Sequence, residues 1–138
     1  MTMPPIERDR PLRVLLVEDD PDLAEATAEF LRLEALDVRI AASGRDAQES
    51  AAAFQPQLVL CDLNLPDMSG LDLVRRLRSN PSTAGVYIAI LTAMRERDLA
   101  GRPEAGEQHA DAFISKPLTF DAVRRLVDQL LETGRRTR

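Results

Sequence analysis

Short apolar runs alternate with longer amphipathic stretches along the 138-residue chain, and this alternation constrains the fold more than any other feature. The apolar runs predict strands, and the stretches between them carry apolar residues at helical spacing. Strands that alternate with helices form a parallel sheet covered on both faces. The sequence therefore predicts a three-layer α/β fold whose doubly wound parallel sheet has five strands, at residues 12–17, 38–41, 58–61, 86–91 and 112–114.

Residues that favour helix N-caps mark the starts of the predicted helices: Asp20, Ser43, Ser69 and Thr119. Asp46 lies three residues after Ser43, which predicts a capping box with Asp in place of Glu. Asn80 and Pro81 end the third helix. Gly134 is the expected C-cap of the last helix.

The first and last predicted helices each carry an apolar stripe. In the first helix the stripe consists of Leu23, Ala26, Phe30 and Leu31. In the last helix it consists of Phe120, Val123, Val127 and Leu130. Because these residues recur at helical spacing, we expect both stripes to face the sheet.

Charge and cysteine content exclude several classes of protein. The net charge of −5 argues against nucleic-acid binding, since such proteins need positive charge for the phosphate backbone. The single cysteine, Cys61, excludes an intrachain disulfide, and the one histidine, His109, lies far from it, which argues against a zinc site. No apolar run is long enough to span a membrane, so we expect a cytoplasmic protein. Residues 1–11 are a predicted flexible segment, 12–134 the domain and 135–138 a basic tail.

Polar side chains follow four of the predicted strands. Glu18 and Asp19 come after the first strand, Asp62 after the third, Thr92 after the fourth and Lys116 after the fifth. In a parallel α/β sheet, ligands bind beyond the carboxyl ends of the strands. We therefore expect carboxylates, a hydroxyl and an ammonium group to converge at one edge of the sheet.

Carboxylates brought together in this way repel each other. At an effective dielectric constant near 20, two charges about 5 Å apart repel by roughly 3 kcal/mol. Mg²⁺ relieves this repulsion, because it binds one or two carboxylates and keeps waters that a phosphate can replace. Asp62 is then suited to act as a nucleophile toward phosphorus, with Thr92 and Lys116 holding the transferred oxygens.

Lys116 has independent support as a site residue. The chain contains 18 Lys plus Arg, and Lys116 is the only lysine among them. Lysine supplies a compact, flexible point charge, whereas arginine supplies a planar fork, so the two are not interchangeable at a phosphate site. A chain that otherwise uses arginine places its one ammonium group at the expected site.

Four stretches of the sequence resemble those of response-regulator receiver domains of two-component signalling. They read LLVEDDP at 15–21, LCDLNLPDMSGLDL at 60–73, ILTA at 90–93 and FISKPL at 113–118. Each motif alone is weak, but the four together, in this order, are highly specific. The resemblance covers roughly residues 12–131 and implies a flavodoxin-like fold of the chemotaxis-regulator type, with strand order 2-1-3-4-5.

The resemblance also implies roles for individual residues. Asp62 matches the phosphoacceptor, and Glu18 and Asp19 match the acidic pair that binds Mg²⁺, with Asp19 favoured as the direct ligand. The backbone carbonyl of Asn64 matches the third protein ligand of the metal. The remaining matches are the switch hydroxyl, the phosphoryl-pairing lysine and the aromatic switch: Thr92, Lys116 and Phe113.

The same resemblance implies a signalling domain that assists its own phosphorylation and dephosphorylation, and not a turnover enzyme. The implied phosphodonor is a histidine kinase or a histidine phosphotransfer protein, and the implied output is a downstream protein target. Dimerisation on phosphorylation is a further option. A buried strand aromatic explains Phe113 nearly as well as a switch residue does.

Two alternatives remain open from the sequence. A haloacid-dehalogenase-type phosphatase also combines a nucleophilic Asp with Ser/Thr, Lys and acidic metal ligands, but its acid pair comes late in the chain. A degenerate receiver that only binds partners is the second alternative. Residues 95–110 support it, because Gly101, Pro103 and Gly106 fall where a helix is expected. We expect a short, broken or mobile helix there.

Overall fold

Five parallel strands form a single sheet in the computed structural model, which describes residues 10–93 and 110–136. The strand order is β2-β1-β3-β4-β5. All four pairings are parallel, as the alternating pattern predicted. The strands are β1 (Arg13–Val17), β2 (Asp37–Ala41), β3 (Leu58–Asp62), β4 (Tyr87–Thr92) and β5 (Ala112–Ser115).

Helices cover both faces of the sheet. The helices of the described residues are α1 (Pro21–Arg32), α2 (Gly44–Phe54), α3 (Gly70–Ser79) and α4 (Phe120–Arg136). Buried residues of α1 and α4 pack in one core cluster with alternate residues of the strands. Buried residues of α2 and α3 pack in a second cluster with the remaining strand residues. The predicted three-layer, doubly wound, flavodoxin-like fold is confirmed.

The central strands are buried on both sides, which explains their continuous apolar sequences. All six residues of β4 are buried, and so are the last four of β1. Strands sandwiched between helical layers have no polar face, so they lose the alternation of exposed sheets. The predicted strands agree with the observed ones to within one residue at either end.

The predicted helix starts are confirmed. The side chain of Asp20 accepts from the amides of Asp22 and Leu23, and Ser69 forms a capping box with Asp72. Thr119 Oγ1 accepts from the amide of Ala122. These bonds satisfy amides that have no partner within the helix.

Details of two helix ends differ from the predictions. Ser43 caps α2 as expected. In a capping box Asp46 would accept from the amide of Ser43, but its Oδ2 accepts from the amide of Ala42 at 3.2 Å, so the predicted box does not form. The last helix continues through Arg136, so Gly134 is not its C-cap and the first two residues of the basic segment are helical.

Three apolar residues predicted to face the sheet are exposed. Leu23 and Phe120 expose 43% and 45% of their surface, and Ala26 is exposed as well. The residues of α1 that are buried are Ala24, Ala28 and Leu31. Phe120 instead stacks on Phe30, with ring centroids 4.1 Å apart. Two of the three buried residues of α1 are small alanines, which let α1 lie close to the sheet, while Leu23 stays exposed.

Two predictions concern membranes and the segment between β4 and β5. Among the described helices, none is both long and apolar enough to cross a membrane. The irregular segment predicted at residues 95–110 falls outside the described residues, apart from Ala110.

Candidate functional site

The register of the sheet places the predicted acidic residues next to one another. Val17, the last residue of β1, pairs with Cys61 of β3. Glu18 and Asp62 come immediately after these two residues, so both stand at the carboxyl edge of adjacent parallel strands. The parallel pairing therefore brings together carboxylates that are far apart in the sequence.

Three carboxylates form a tight cluster at this edge. One oxygen from each of Glu18, Asp19 and Asp62 lies within 4.8 Å of the other two. Glu18 is only 6% exposed, Asp62 is intermediate and Asp19 is exposed. The cluster is thus anchored in the core on one side and open to solvent on the other.

Lys116 supplies a positive charge to the cluster. Its Nζ donates to Asp62 Oδ1 at 3.2 Å and lies 3.7 Å from Glu18 Oε1. The amide of Lys116 donates to the carbonyl of Thr92 at 2.8 Å, which continues the β4–β5 pairing beyond β5. The Lys116–Pro117 peptide bond is cis. The ammonium group of Lys116 therefore contacts two of the three carboxylates of the cluster.

Burial makes Glu18 costly to ionise. Loss of solvent raises the pKa of Glu18 above its ordinary value, and the neighbouring Asp62 raises it further. The amide of Asp20, which donates to Glu18 Oε2 at 3.1 Å, lowers the pKa, as does Lys116. The balance is a raised pKa, because the existing donors do not fully compensate for burial.

Thr92 and Phe113 occupy neighbouring strands on the same face of the sheet. Thr92 pairs with Ser115, and Phe113 pairs with Ile90. Paired residues in a sheet point to the same side, and so do residues two apart in a strand. Thr92 is 3% exposed and Phe113 is partly buried against the second core cluster. Their placement fits the predicted switch pair.

Asn64 lies in the loop between β3 and α3. It forms an isolated antiparallel bridge with Ser69, in which the amide of Leu65 donates to Met68 and the amide of Gly70 to Leu63. This pattern is a non-hydrogen-bonded pair, so the bridge does not use the carbonyl of Asn64. Asn64 itself is exposed. The carbonyl of Asn64 therefore accepts no hydrogen bond from the bridge.

Cys61 is adjacent to the cluster but is not a reactive group. It is fully buried, and burial raises the pKa of its thiol far above the ordinary range, with further contributions from Asp62 and Glu18. A buried thiol that stays protonated is a poor nucleophile and a poor metal ligand. The interpretation of Cys61 as a small buried hydrophobe fits this environment.

An apolar groove of about 470 Å³, which the hydrophobic pattern of the sequence did not predict, borders the cluster. It runs from Glu18 and Lys116 along α1, and its apolar lining includes Leu23, Ala26, Phe30, Pro117 and Leu118. Hydrophobic spacing alone predicted that these α1 residues lie in the core. That spacing does not report which large apolar side chains stay exposed, so it could not predict the groove.

The cluster has the chemistry of a site for a hard divalent cation. One oxygen from each of the three carboxylates can reach a single ion. The positive charge of Lys116 does not balance the negative charges of the three carboxylates. Mg²⁺ prefers such carboxylate oxygens and retains water at its remaining positions. The residues therefore fit the metal that the sequence predicted.

A comparison with protein families matches residues 14–128 to the response regulator receiver domain. The DNA-binding response regulator MtrA of Mycolicibacterium smegmatis is 40% identical over 106 residues, which are 76% of this chain and 44% of MtrA. The chain spans about half the length of the curated relatives that it matches.

Solved structures give the same result. A CheY-like receiver domain from Methylobacillus flagellatus has a TM-score of 0.78 and 29% identity, over 87% of this chain and 98% of that one. The receiver domain of a signal transduction histidine kinase from Syntrophus aciditrophicus has a TM-score of 0.75 and 29% identity, over 88% and 90%. The phosphatase alternative is therefore wrong. The chain belongs to the family of response regulator receiver domains, the signalling modules of two-component systems.

Proposed function

We propose that Asp62 accepts a phosphoryl group from a phosphohistidine of a histidine kinase or a histidine phosphotransfer protein. The supporting observation is the position of its carboxylate, which ends β3 beside Glu18 and Asp19 and accepts a hydrogen bond from Lys116. A carboxylate oxygen attacks phosphorus, the phosphorus–nitrogen bond breaks, and the electron pair of that bond returns to the imidazole. The product is an aspartyl phosphate on Asp62.

Lys116 and Thr92 hold the transferred group. The ammonium of Lys116 already lies 3.2 Å from Asp62 Oδ1, close enough to follow the charge onto a phosphoryl oxygen. Thr92 contributes a hydroxyl from the end of the next strand, where its neighbour Leu91 pairs with Asp62. Both groups act by position and charge, which is the main requirement of phosphoryl transfer.

Glu18, Asp19 and Asp62, together with the carbonyl of Asn64, would hold Mg²⁺ in this site. When bound, the ion supplies positive charge that neutralises the phosphoryl oxygens during transfer. Asp19 is the favoured direct ligand, because it is the most exposed of the three carboxylates. Glu18 lies deeper and orients the cluster through its contacts with Asp20 and Lys116.

Phosphorylation changes the contacts of the switch residues and thereby a protein-binding surface. Lys116 bridges Glu18 and Asp62, and the backbone of Lys116 is bonded to Thr92, so a new anion on Asp62 acts on both strands. Phe113 lies on the same sheet face as Thr92 and links this change to the surface of β5. The partner that binds this surface is a downstream protein target. A second copy of the chain, bound in a phosphorylation-dependent dimer, is the other option.

The surroundings of the site support a protein donor. The apolar groove along α1 reaches Glu18 and Lys116, so it offers contact surface next to Asp62. The net charge of −5 does not favour nucleic acid as the partner of this chain. A cytoplasmic location and a domain spanning residues 12–134 belong to the same proposal.

The direct test is phosphorylation of the parent chain and of Asp62→Asn by a small-molecule phosphodonor with Mg²⁺. Intact-mass analysis should find one added phosphoryl group on the parent and none on the variant, because an amide is a poor nucleophile. Asp46→Asn, a change at an exposed carboxylate on α2, is the matched control and should be phosphorylated like the parent. A parent that gains no label would favour the degenerate receiver, and label on Asp62→Asn at the parental rate would place the acceptor elsewhere.

A further inference from the structure

The loop between β3 and α3 is fastened to the start of α2 by a residue outside the acidic cluster. Asp67 Oδ1 accepts from the amide of Gly44 at 2.8 Å, and Asp67 Oδ2 accepts from the amide of Arg45 at 2.9 Å. Both amides belong to the first turn of α2 and have no partner within the helix. The two bonds lower the pKa of Asp67, so the carboxylate is ionised at neutral pH.

This capping arrangement ties together two distant parts of the chain. The side chain of Ser43, the local cap of α2, accepts from the amide of Asp46. The first two amides of the helix, those of Gly44 and Arg45, depend instead on a side chain that lies 23 and 22 residues further along the chain. The loop that carries Asn64 therefore adds its own negative charge at this helix N-terminus, where Asp46 of the first turn supplies another.

Close packing reinforces the connection. Gly44 is buried, and a Cβ atom there would overlap the Sδ atom of Met68, so the loop lies directly on the helix. At its other end the loop closes through the bond from the amide of Gly70 to Leu63 at 2.6 Å. Gly70 also lies against the carbonyl of Asp62, where a Cβ atom would overlap it. The loop is thus held at its base by β3 and at its tip by α2.

We infer that Asp67 is a positioning residue for the metal site: its contacts with α2 fix the loop so that the carbonyl of Asn64 faces the carboxylate cluster. This inference rests on the proposed function, because it assigns Asn64 to the metal. Asn64 lies three residues before Asp67 in the same hairpin. Contacts that restrict the motion of a metal-ligating group raise the affinity of the site for the metal.

The test compares Mg²⁺ affinity in the parent, Asp67→Ala and Asp46→Ala. Asp46, in the first turn of α2, also accepts from a backbone amide, that of Ala42 just before the helix, but it is not part of the loop, and both variants remove one negative charge. Calorimetry should find Mg²⁺ affinity lower by about tenfold in Asp67→Ala, as is typical when a contact that orients a ligand is removed. Affinity in Asp46→Ala should match the parent. Asp67→Asn keeps one acceptor oxygen and should lose only about threefold.

A second readout uses the protein without a phosphodonor. If the Asp67 contacts favour Mg²⁺ binding, then Mg²⁺ binding must favour the Asp67 contacts to the same degree. Mg²⁺ should therefore slow hydrogen exchange at the amides of Gly44 and Arg45 in the parent, by a factor similar to the loss of Mg²⁺ affinity in Asp67→Ala. Melting temperatures measured without Mg²⁺ identify variants that are merely less stable.

The outcomes separate the inference from the proposed function. Parental Mg²⁺ affinity in Asp67→Ala, with binding intact in the parent, would overturn the role of Asp67 and leave Asp62 as the acceptor. Equal losses in Asp67→Ala and Asp46→Ala would also overturn it, since the effect would then come from α2 or from charge. A parent that binds no Mg²⁺ would overturn both the inference and the proposed metal site.

Discussion

At the amino ends of the strands polar side chains are paired with the backbone, whereas at the carboxyl ends carboxylates face one another. Arg78, near the amino end, donates to the carbonyls of Ala84 and Val86 and to Asp111 Oδ2. Asp111 Oδ2 accepts in turn from the amide of Ile88 at 2.8 Å. These polar groups are satisfied within the protein itself.

The carboxyl end is arranged in the opposite way. Glu18, Asp19 and Asp62 converge there, and within residues 10–93 and 110–136 Lys116 is the one cation that contacts them. Two of these charges within 4.8 Å of each other repel by roughly 3 kcal/mol at an effective dielectric constant near 20. The amino end therefore stabilises the fold, whereas the carboxyl end retains negative charge that can bind an added cation.

The largest expected effect on stability comes from breaking the amino end. Arg78→Ala removes the donor for two carbonyls and leaves the Asp111 carboxylate without its ion pair. The Arg78 side chain is only 19% exposed and its two bonds to carbonyls are charge-assisted, so we expect the free energy of unfolding to fall by about 3 kcal/mol in urea titrations, with little of the loss coming from the exposed Asp111.

A matched control tests whether the environment of Arg78 matters. Arg45 is exposed and lies 3.9 Å from Glu49, so Arg45→Ala should change stability by less than about 0.5 kcal/mol. The folded Arg78→Ala chain should still be phosphorylated on Asp62. Equal effects of the two substitutions would mean that the amino end is no more stabilising than an ordinary surface.

The next largest effect should come from adding Mg²⁺ to the carboxyl end. At a concentration about 100 times its dissociation constant, the ion should stabilise the parent by about 2.7 kcal/mol. Asp19→Asn should lose this stabilisation and should be more stable than the parent without the ion, because one repelling charge is gone. Thermal unfolding with and without Mg²⁺ measures both effects. An Asp19→Asn chain that responds to Mg²⁺ like the parent would contradict the proposed ligand set.

The smallest expected effect is a pH dependence at Glu18. Its pKa is raised in the folded protein, so its contribution to stability is full below the ordinary value of 4.5 and is lost as pH rises through the folded value. Glu18→Gln keeps an oxygen for the amide of Asp20 but cannot ionise. Its stability relative to the parent should therefore grow from about pH 4 to about pH 7 without Mg²⁺.

The control for this pH dependence is Glu49→Gln. Glu49 is exposed on α2, so its substitution should produce no such trend. Saturating Mg²⁺ should reverse the advantage of Glu18→Gln, since the ion favours the charged cluster. A constant difference across the pH range would show that burial of Glu18 does not oppose its ionisation.

Sequence patterns predicted the strands and the acidic cluster because these depend on strong, local signals. Each central strand is a continuous apolar run, and a parallel sheet places whatever follows those runs at one edge. Glu18, Asp62 and Lys116 could therefore be grouped before their distances were known. The strand order came from the resemblance to receiver domains and not from the runs themselves.

Other features depend on long-range packing that hydrophobic spacing does not report. Leu23 and Phe120 have the periodicity of core residues, yet both are exposed, and Leu23 lines the apolar groove. The contact of Asp67 with α2 joins residues that share no local pattern. Gly134 failed as a C-cap signal because α4 continues past it.

Anomalous scattering from crystals grown with Mn²⁺ in place of Mg²⁺ tests the central claim most directly. We expect one strong peak at the carboxyl edge of the sheet, in contact with Asp19, Asp62 and the carbonyl of Asn64, at about 2.0–2.3 Å from their oxygens. A peak bound elsewhere, or a cluster in which Glu18 and Asp19 point away from Asp62 and bind no ion, would contradict it.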